Sequence, residues 1–445
     1  MYQDTITAIA TPIGKGGLGV IRISGSLSKN IAQDLFPHAL PNRRLVYGKI
    51  LNPNNQQVVD EAMVVYMPGP RTYTKEDVVE ISCHGGPMPL QQILQLTIEK
   101  GARLANPGEF TLRAFLNGRI DLAQAEAVLD VISAETQASL RLAVDGIGGK
   151  LSKPIKEVRT RLMDVLAFLT ARIDFPEDDV PNQETLEPII ASEQQLHRLI
   201  SSADTGIIYR HGVRTAIVGK PNAGKSSLLN RILGENRAIV TPVPGTTRDT
   251  LEETISLDGV PFIFIDTAGI ADTDDPVEQL GIERSRKAIL ESDLILLILD
   301  RSRHLSRHDH AIMELLSDQR VLVAANKTDL PQVAKTQDVR WPSVSISALT
   351  GDGMDNLQQH MVQMVIKGDI TSANSVWVTN PRHKASLELA LRHVQMARDS
   401  LQTEMPDDCV TIDLTAAITA IGTITGETVT EELLDTIFSR FCIGK

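Results

Sequence analysis

Apolar and polar positions alternate through the first hundred residues. Runs at 18–23, 58–67 and 78–83 place an apolar side chain at about every second position, the period of a strand with one buried face, and 90–99 reads as a helix. From about Asp121 the period lengthens. Ile155, Val158, Leu162, Val165, Leu169 and Ile173 recur every three or four residues, and Phe175-Pro176-Glu177-Asp178-Asp179 stops the helix they mark. A helical stretch at 186–200 leads into short apolar runs of strand length at 215–218, 262–265, 294–299, 321–324 and 344–346. Helical periodicity returns with Leu387, Leu391, Val394 and Leu401, and again with Leu433, Leu434, Ile437, Phe438 and Phe441. Helical segments on both sides of an α/β region point to insertion of that region into one helical domain, because domain termini often lie close together. The fold class expected is multidomain α+β. It comprises an N-terminal domain of strands and helices at 1–117, a discontinuous helical domain at 118–211 and 372–445, and an inserted α/β domain at 212–371.

The 445 residues suit about three domains, and 42% apolar with 22% charged residues is an ordinary globular composition. A net charge of −12 argues against a broad nucleic-acid-coating surface and leaves partners to be recognised locally. Cys83, Cys409 and Cys442 form no C-x-x-C pair, which suits a reducing cytoplasm. Residues 1–10 lack a basic region followed by an apolar core, and the longest purely aliphatic run, 294–299, has the length of a buried strand, so no signal peptide or membrane span is expected. The stretch 301–310 collects three arginines and three histidines and reads as a solvated loop and helix start rather than a metal site.

Chemistry concentrates in 212–371. Gly219-Lys220-Pro221-Asn222-Ala223-Gly224-Lys225-Ser226 fits G-x-x-x-x-G-K-[ST] between an apolar strand and an apolar helix that opens with Ser226 and Ser227. Glycines let backbone N–H groups converge on an anion at a helix N-terminus, Lys225 reaches the β/γ-phosphates and Ser226 offers a hydroxyl to Mg²⁺. Asp266-Thr267-Ala268-Gly269 ends the run at 262–265, where a carboxylate at the sheet's carboxyl edge can act on Mg²⁺. Asn326-Lys327-Thr328-Asp329 follows the run at 321–324. The Asp329 carboxylate can accept from N1–H and N2–H of guanine, a donor pair adenine lacks, and Lys327 can lie along the ring. Ser347-Ala348-Leu349 would close the base pocket. Thr246-Thr247-Arg248-Asp249 belongs to the loop expected over the γ-phosphate, with Thr247 as the second Mg²⁺ hydroxyl. Each fragment alone has a second reading as a Gly-rich or polar turn, and for Ser347-Ala348-Leu349 the two readings weigh equally. Five in register at successive strand ends read as a Ras-like P-loop domain that binds GTP.

With these residues in view, the chain resembles the MnmE (TrmE) family of bacterial tRNA-modification GTPases from end to end. The resemblance rests on Asp4-Thr5-Ile6 with Ala10-Thr11-Pro12, the stretch from Gly16 to Gly25, Glu76-Asp77-Val78-Val79-Glu80 with His84-Gly85-Gly86, and Pro107-Gly108-Glu109-Phe110. It extends to Arg113-Ala114-Phe115-Leu116-Asn117, Gln124-Ala125-Glu126-Ala127 and the terminal Phe441-Cys442-Ile443-Gly444-Lys445. It implies GTP hydrolysis coupled to placing a carboxymethylaminomethyl or aminomethyl group on C5 of wobble uridine in certain tRNAs, together with the FAD- and NADH-using partner MnmG (GidA) in a heterotetramer. A reduced folate, 5-formyltetrahydrofolate or 5,10-methylenetetrahydrofolate, would supply the carbon and be held by the positions matching Arg22, Glu80, Arg119 and Lys445. Without the resemblance these four read as surface charges or structural ion pairs. Cys442 is expected to face the folate, the alternative being a buried, inert thiol. The resemblance further implies a homodimer through the N-terminal domains.

It also implies how water is held, since Ile270 stands where Ras-like enzymes carry a glutamine after Asp-x-x-Gly. Potassium would take that place, coordinated by Asn222, carbonyl oxygens of Thr241 and Val243, and Thr246. The loop Thr241, Pro242, Val243, Pro244, Gly245, Thr246 and Thr247 would therefore contact the nucleotide, and Glu283 matches the glutamate that bridges to the attacking water. The rival reading is a ribosome-assembly switch without modification chemistry. Such switches usually carry a basic RNA-binding appendage, whereas this tail ends in an acidic helix.

Overall fold

A computed structural model describes residues 4–175, 184–236, 253–265, 289–334, 339–366 and 376–445 of the chain. It divides into two compact units, one of Met1–Leu129, Gly146–Ala167 and Leu414–Lys445, the other of Asp130–Asp145 and Phe168–Asp413.

The first unit is built on β1 (Ile6–Ile9), β2 (Gly16–Ser24), α1 (Ser28–Leu35), β3 (Leu45–Leu51), β4 (Val58–Met67), β5 (Val78–Gly85), α2 (Pro87–Glu99) and β6 (Arg103–Leu104). The sheet order is β3-β4-β5-β2-β1-β6, antiparallel except for β1 with β6. Strand alternation has its expected consequence. Val79, Ile81 and Cys83 of β5 are buried in one cluster with Ile31, Leu35, Leu90 and Ile93 of the two helices, while Glu80, Ser82 and His84 are more exposed. Burial pushes the Cys83 thiol up to about 11, so it stays protonated. Helix α3 (Glu109–Leu116) starts after Gly108, whose φ of 69° and approach to the chain end require glycine: a Cβ there would stand 2.6 Å from the Phe438 carbonyl oxygen. Helices α4 (Leu122–Ser133), α5 (Gln137–Ile147) and α6 (Ser152–Asp174) follow. Of the stripe read on α6, Ile155, Val158, Leu162, Val165 and Leu169 are buried, whereas Ile173 at the helix end is exposed.

In the second unit, α7 (Leu186–Ser201) and α8 (Ala203–His211) precede a sheet of β7 (Val213–Val218), β8 (Glu253–Leu257), β9 (Val260–Ile265), β10 (Leu294–Asp300), β11 (Val321–Asn326) and β12 (Ser343–Ser345). Its order is β12-β11-β10-β7-β9-β8, parallel except at the β8 edge. Helices α9 (Lys225–Asn236), α10 (Arg307–Leu315) and α11 (Met354–Val365) connect strands or close the unit. Every residue of β10 and β11 is buried, which is why these strands read as continuous apolar runs. Leu228, Ile232, Leu357 and Met361 cover one face, and Ile289, Leu316 and residues around Trp341 the other. Helix α12 (Pro381–Gln402) returns along α7. Arg398 holds Glu193 through Nη1 at 2.7 and 2.6 Å, and Gln395 adds a bond of 3.1 Å to the same carboxylate.

Helices α13 (Asp407–Thr425) and α14 (Glu431–Phe438) complete the chain. Sequence reading carried the last helix to Phe441, but it stops at Phe438 and the chain turns so that Phe441 packs with Leu122, Ala125, Ile437 and Phe438. Helix α13 was not foreseen, because its apolar residues run nearly all round it and give no clean stripe. By length and composition it could cross a membrane, yet Val410, Leu414, Ala417, Ile421 and Ile424 are buried inside the protein.

Candidate functional site

The five parallel strands β7, β9, β10, β11 and β12 have their carboxyl ends at one edge, and the phosphate loop leaves β7 there, beside β10 and β9. The loop needs its glycines. A Cβ on Gly219 would stand 2.6 Å from the Ile298 carbonyl oxygen, and one on Gly224, at φ 102°, would collide with the Asn326 amide nitrogen. Asn222 also lies in the left-handed region, at φ 60°, a conformation that must be held by its surroundings. It is. Asn326 Nδ2 donates to the Ala223 carbonyl at 2.8 Å, Lys327 Nζ to the Asn222 carbonyl at 3.1 Å, and Lys225 Nζ to the Lys220 carbonyl at 3.1 Å. Ser226 lies in the first turn of α9 beside Lys225, half-buried, and Ser227 is exposed.

The base-pocket residues are knit to that loop. Asn326 Oδ1 accepts from the Ala348 N–H at 3.0 Å, so one buried amide ties 223 to 348. Ser347 Oγ donates to Asp329 Oδ1 at 2.6 Å, and the Thr328 N–H donates to the Ile346 carbonyl at 3.0 Å. Arg231 of α9 donates to the Ala348 and Leu349 carbonyls. Asp329 and Leu349 are exposed while Ser347 and Ala348 are buried. The arrangement leaves a carboxylate at the rim of a rigid turn, aimed by a serine, which is what recognition of a paired donor edge requires.

Sequence reasoning missed Asp300. It ends β10, is 3% exposed, and binds Lys327 Nζ at 2.7 Å. Burial pushes its carboxyl upward, but hydrogen bonds from Lys327 and from Ser302 N and Oγ outweigh that and hold it below the usual carboxylate range. The signal was a lone carboxylate closing an otherwise aliphatic strand. The stretch 301–310 forms the loop and helix start read from sequence, with α10 beginning at Arg307. Thr241, Pro242, Val243, Pro244, Gly245, Thr246, Thr247, Asp266, Thr267, Ala268, Gly269 and Glu283 lie outside the described residues.

A second cluster lies in the first unit. Arg22 and Glu80 are register partners on β2 and β5, joined at 2.8 Å, with 20% and 29% of their side chains exposed. Arg22 Nη1 also donates to the Gly444 carbonyl at 3.3 Å, and the Phe110 N–H donates to the Lys445 carbonyl at 3.1 Å. The chain end is therefore seated against β2 and α3. Gly444 permits this, since a Cβ would stand 2.5 Å from the Ile9 carbonyl oxygen. Arg22 lies 5.7 Å above the Phe110 ring and Arg119 4.7 Å above Tyr73, and both rings belong to one apolar cluster. The structure thus brings Arg22, Glu80 and the end carrying Lys445 together, with Arg119 on the neighbouring ring. Cys442 is exposed, which overturns the buried-thiol alternative.

Comparisons with known proteins find relatives along the whole chain. A family pattern described as GTP-binding protein TrmE N-terminus matches residues 5–119, and one described as MnmE helical domain matches 122–442. Proteins called tRNA modification GTPase MnmE from Roseiflexus sp. and Chloroflexus aurantiacus are 48% identical over 462 residues and 47% over 452, each alignment covering 100% of both chains. Among solved structures, Aquifex aeolicus Era bound to GDP and AlF4⁻ aligns at 28% identity over 41% of this chain and 67% of its own, with a TM-score of 0.28.

Proposed function

This chain belongs to the MnmE family of tRNA modification GTPases and is a GTP hydrolase of tRNA modification, and from that premise we propose how its residues share the work. The phosphate loop from Asn222 to Ser227 holds the phosphates, with Lys225 at the β/γ oxygens, and Ser226 and Thr247 supply the Mg²⁺ hydroxyls. Asp329 reads guanine, steadied by Ser347, and Lys327 and Ala348 bound the base. The observation that carries this assignment is the Asn326 side chain, whose amide bonds the phosphate loop on one side and the Ser347-Ala348-Leu349 turn on the other. One side chain fixes the spacing between the place for phosphates and the place for a base.

To the stretches Thr241 to Thr247 and Asp266 to Gly269 we assign contacts with the nucleotide, and to Glu283 the orientation of the attacking water. Asn222, with its left-handed backbone clamped by Lys327 and its residue exposed, suits a ligand to potassium alongside Thr241, Val243 and Thr246. Potassium held by these residues would supply the positive charge that an arginine finger gives elsewhere.

In the first unit, the half-open Arg22–Glu80 pair suits a reduced folate: a carboxylate for an amino-pyrimidine edge and arginines, each steadied over an aromatic ring, for anionic groups. The folate would bring a one-carbon unit, and Lys445 and Arg119 would help hold it. We place the activity in the cytoplasm, in a homodimer partnered by MnmG and acting on wobble uridine. Nucleoside analysis of tRNA from cells lacking the protein should show loss of wobble uridines carrying carboxymethylaminomethyl or aminomethyl groups at C5. Unchanged wobble uridines would return the assembly-switch reading.

A further inference from the structure

The segment that joins β10 to α10 carries a carboxylate with no role in the scheme above. Asp309 is 1% exposed at the third position of α10, and its Oδ2 accepts three bonds: from Lys220 Nζ at 2.8 Å, from Ser306 N at 2.8 Å and from Ser306 Oγ at 2.7 Å. The bond from Ser306 N, together with one of 3.3 Å from the Asp309 N–H to Ser306 Oγ, makes a capping box, an ordinary way to start a helix, and the Ser306 Oγ bond stays within the same turn. The third reaches into the phosphate loop itself, because Lys220 directly follows Gly219.

Helix capping alone does not explain burying a carboxylate whose Oδ1 has no hydrogen-bond partner. An ammonium brought to it does: burial pushes the Asp309 carboxyl upward, and the bonds from Lys220 and Ser306 outweigh it and keep it ionised. The loop is held at other points through main-chain carbonyls, those of 220, 222 and 223. Lys220 is the residue whose side chain is pinned from α10, and its own carbonyl receives Lys225 Nζ.

We propose that Asp309, acting through Lys220, is a positioning residue for nucleotide binding: the buried ion pair fixes the entry of the phosphate loop so that its N–H groups are already convergent before the phosphates arrive. This rests on the reading that 219–226 holds those phosphates. Without the tether, ordering the loop becomes part of the cost of binding, and the cost falls equally on GTP and GDP and on ground and transition states.

The test is nucleotide affinity of the full-length chain, read with fluorescent GTP and GDP analogues beside single-turnover hydrolysis. Asp309→Asn should weaken both nucleotides roughly tenfold while the rate from the bound state stays near the parent's. Lys220→Arg, which can still reach the carboxylate, should restore most of the affinity that Lys220→Met loses. The double change Lys220→Met with Asp309→Asn should be no worse than the weaker single. Ser306→Ala removes the capping hydroxyl but leaves the ion pair, so it should lower thermal stability and leave affinity unchanged. Tighter or unaltered binding by Asp309→Asn, additive losses in the double change, or an equal loss in Ser306→Ala would overturn the proposal. Lys225→Ala separates it from the reading beneath it: retained nucleotide binding there would refute the phosphate-loop assignment itself.

Discussion

The two clusters, one at the edge of the parallel sheet and one where the chain's ends meet, are built on opposite plans. In the second unit's sheet five of six strands point the same way, so their carboxyl ends gather on one edge and each motif that follows one of them is delivered to the same place. Strand order alone assembles the proposed nucleotide site. In the antiparallel sheet neighbouring strands point opposite ways, no edge collects successive turns, and the cluster joins Arg22 to Gly444, which are 422 positions apart. The first plan is readable from local spacing, whereas the second needs long-range contact that spacing does not encode.

The largest effect expected tests that long-range plan. Removing residues 443–445 takes away the Gly444 and Lys445 carbonyls that receive Arg22 and the Phe110 N–H, but leaves Phe441 in its apolar cluster. Stabilisation by 5-formyltetrahydrofolate, seen as a thermal shift, should vanish, while GTP hydrolysis persists. A retained shift would show that the chain end does not build the pocket and erase the contrast drawn above.

Legibility followed the same divide. The strands at 215–218, 262–265 and 321–324, their motifs and the stripe on α6 were readable because period and position coincide there. Glu80 and Arg22 carried no such signal, since a charged pair on the open face of a sheet looks the same whether it binds a ligand or water. Only the family resemblance singled them out. Asp300 and Asp309 escaped because their importance lies in which lysine they reach, a tertiary fact.

Next in size is a test within the parallel-sheet plan. Glu283→Ala should slow hydrolysis by roughly 10²-fold or more with GTP affinity nearly unchanged, because a group that orients water acts in the transition state. A matching loss of affinity would make it a structural carboxylate at a helix start. Smaller again, at least about tenfold, should be the excess of hydrolysis in potassium over sodium at equal ionic strength, and Asn222→Ala should remove most of it. Equal rates in the two salts for the parent protein would count against the ion cage, and the contrast would then rest on Mg²⁺ and backbone alone.

The smallest effect concerns what holds the long-range plan in place. Arg113, 1% exposed, and Arg103 share Glu109 and Asp4: Arg113 Nη2 lies 3.0 Å from Glu109 and 2.8 Å from Asp4, and Arg103 Nη2 2.7 Å from each. Burial pushes the Glu109 carboxyl upward, but Arg103, the Asn106 N–H and Arg113 together hold it below its ordinary value. For a carboxylate depressed in the folded state, the stabilisation is present above the unfolded pKa, about 4.3, and is lost as pH falls through the folded value. Glu109→Gln should therefore cost about 1.5–3 kcal/mol at pH 7, where charged hydrogen bonds are lost, and progressively less as both proteins are taken below about pH 4. Thermal unfolding of the pair across pH 7 to 3 measures this. Because Glu109 opens the helix whose Phe110 N–H donates to the carbonyl of Lys445, the folate-induced shift should weaken in the same variant while nucleotide affinity, set by the other sheet, does not move. A loss of nucleotide affinity instead would mean that the two plans are not independent.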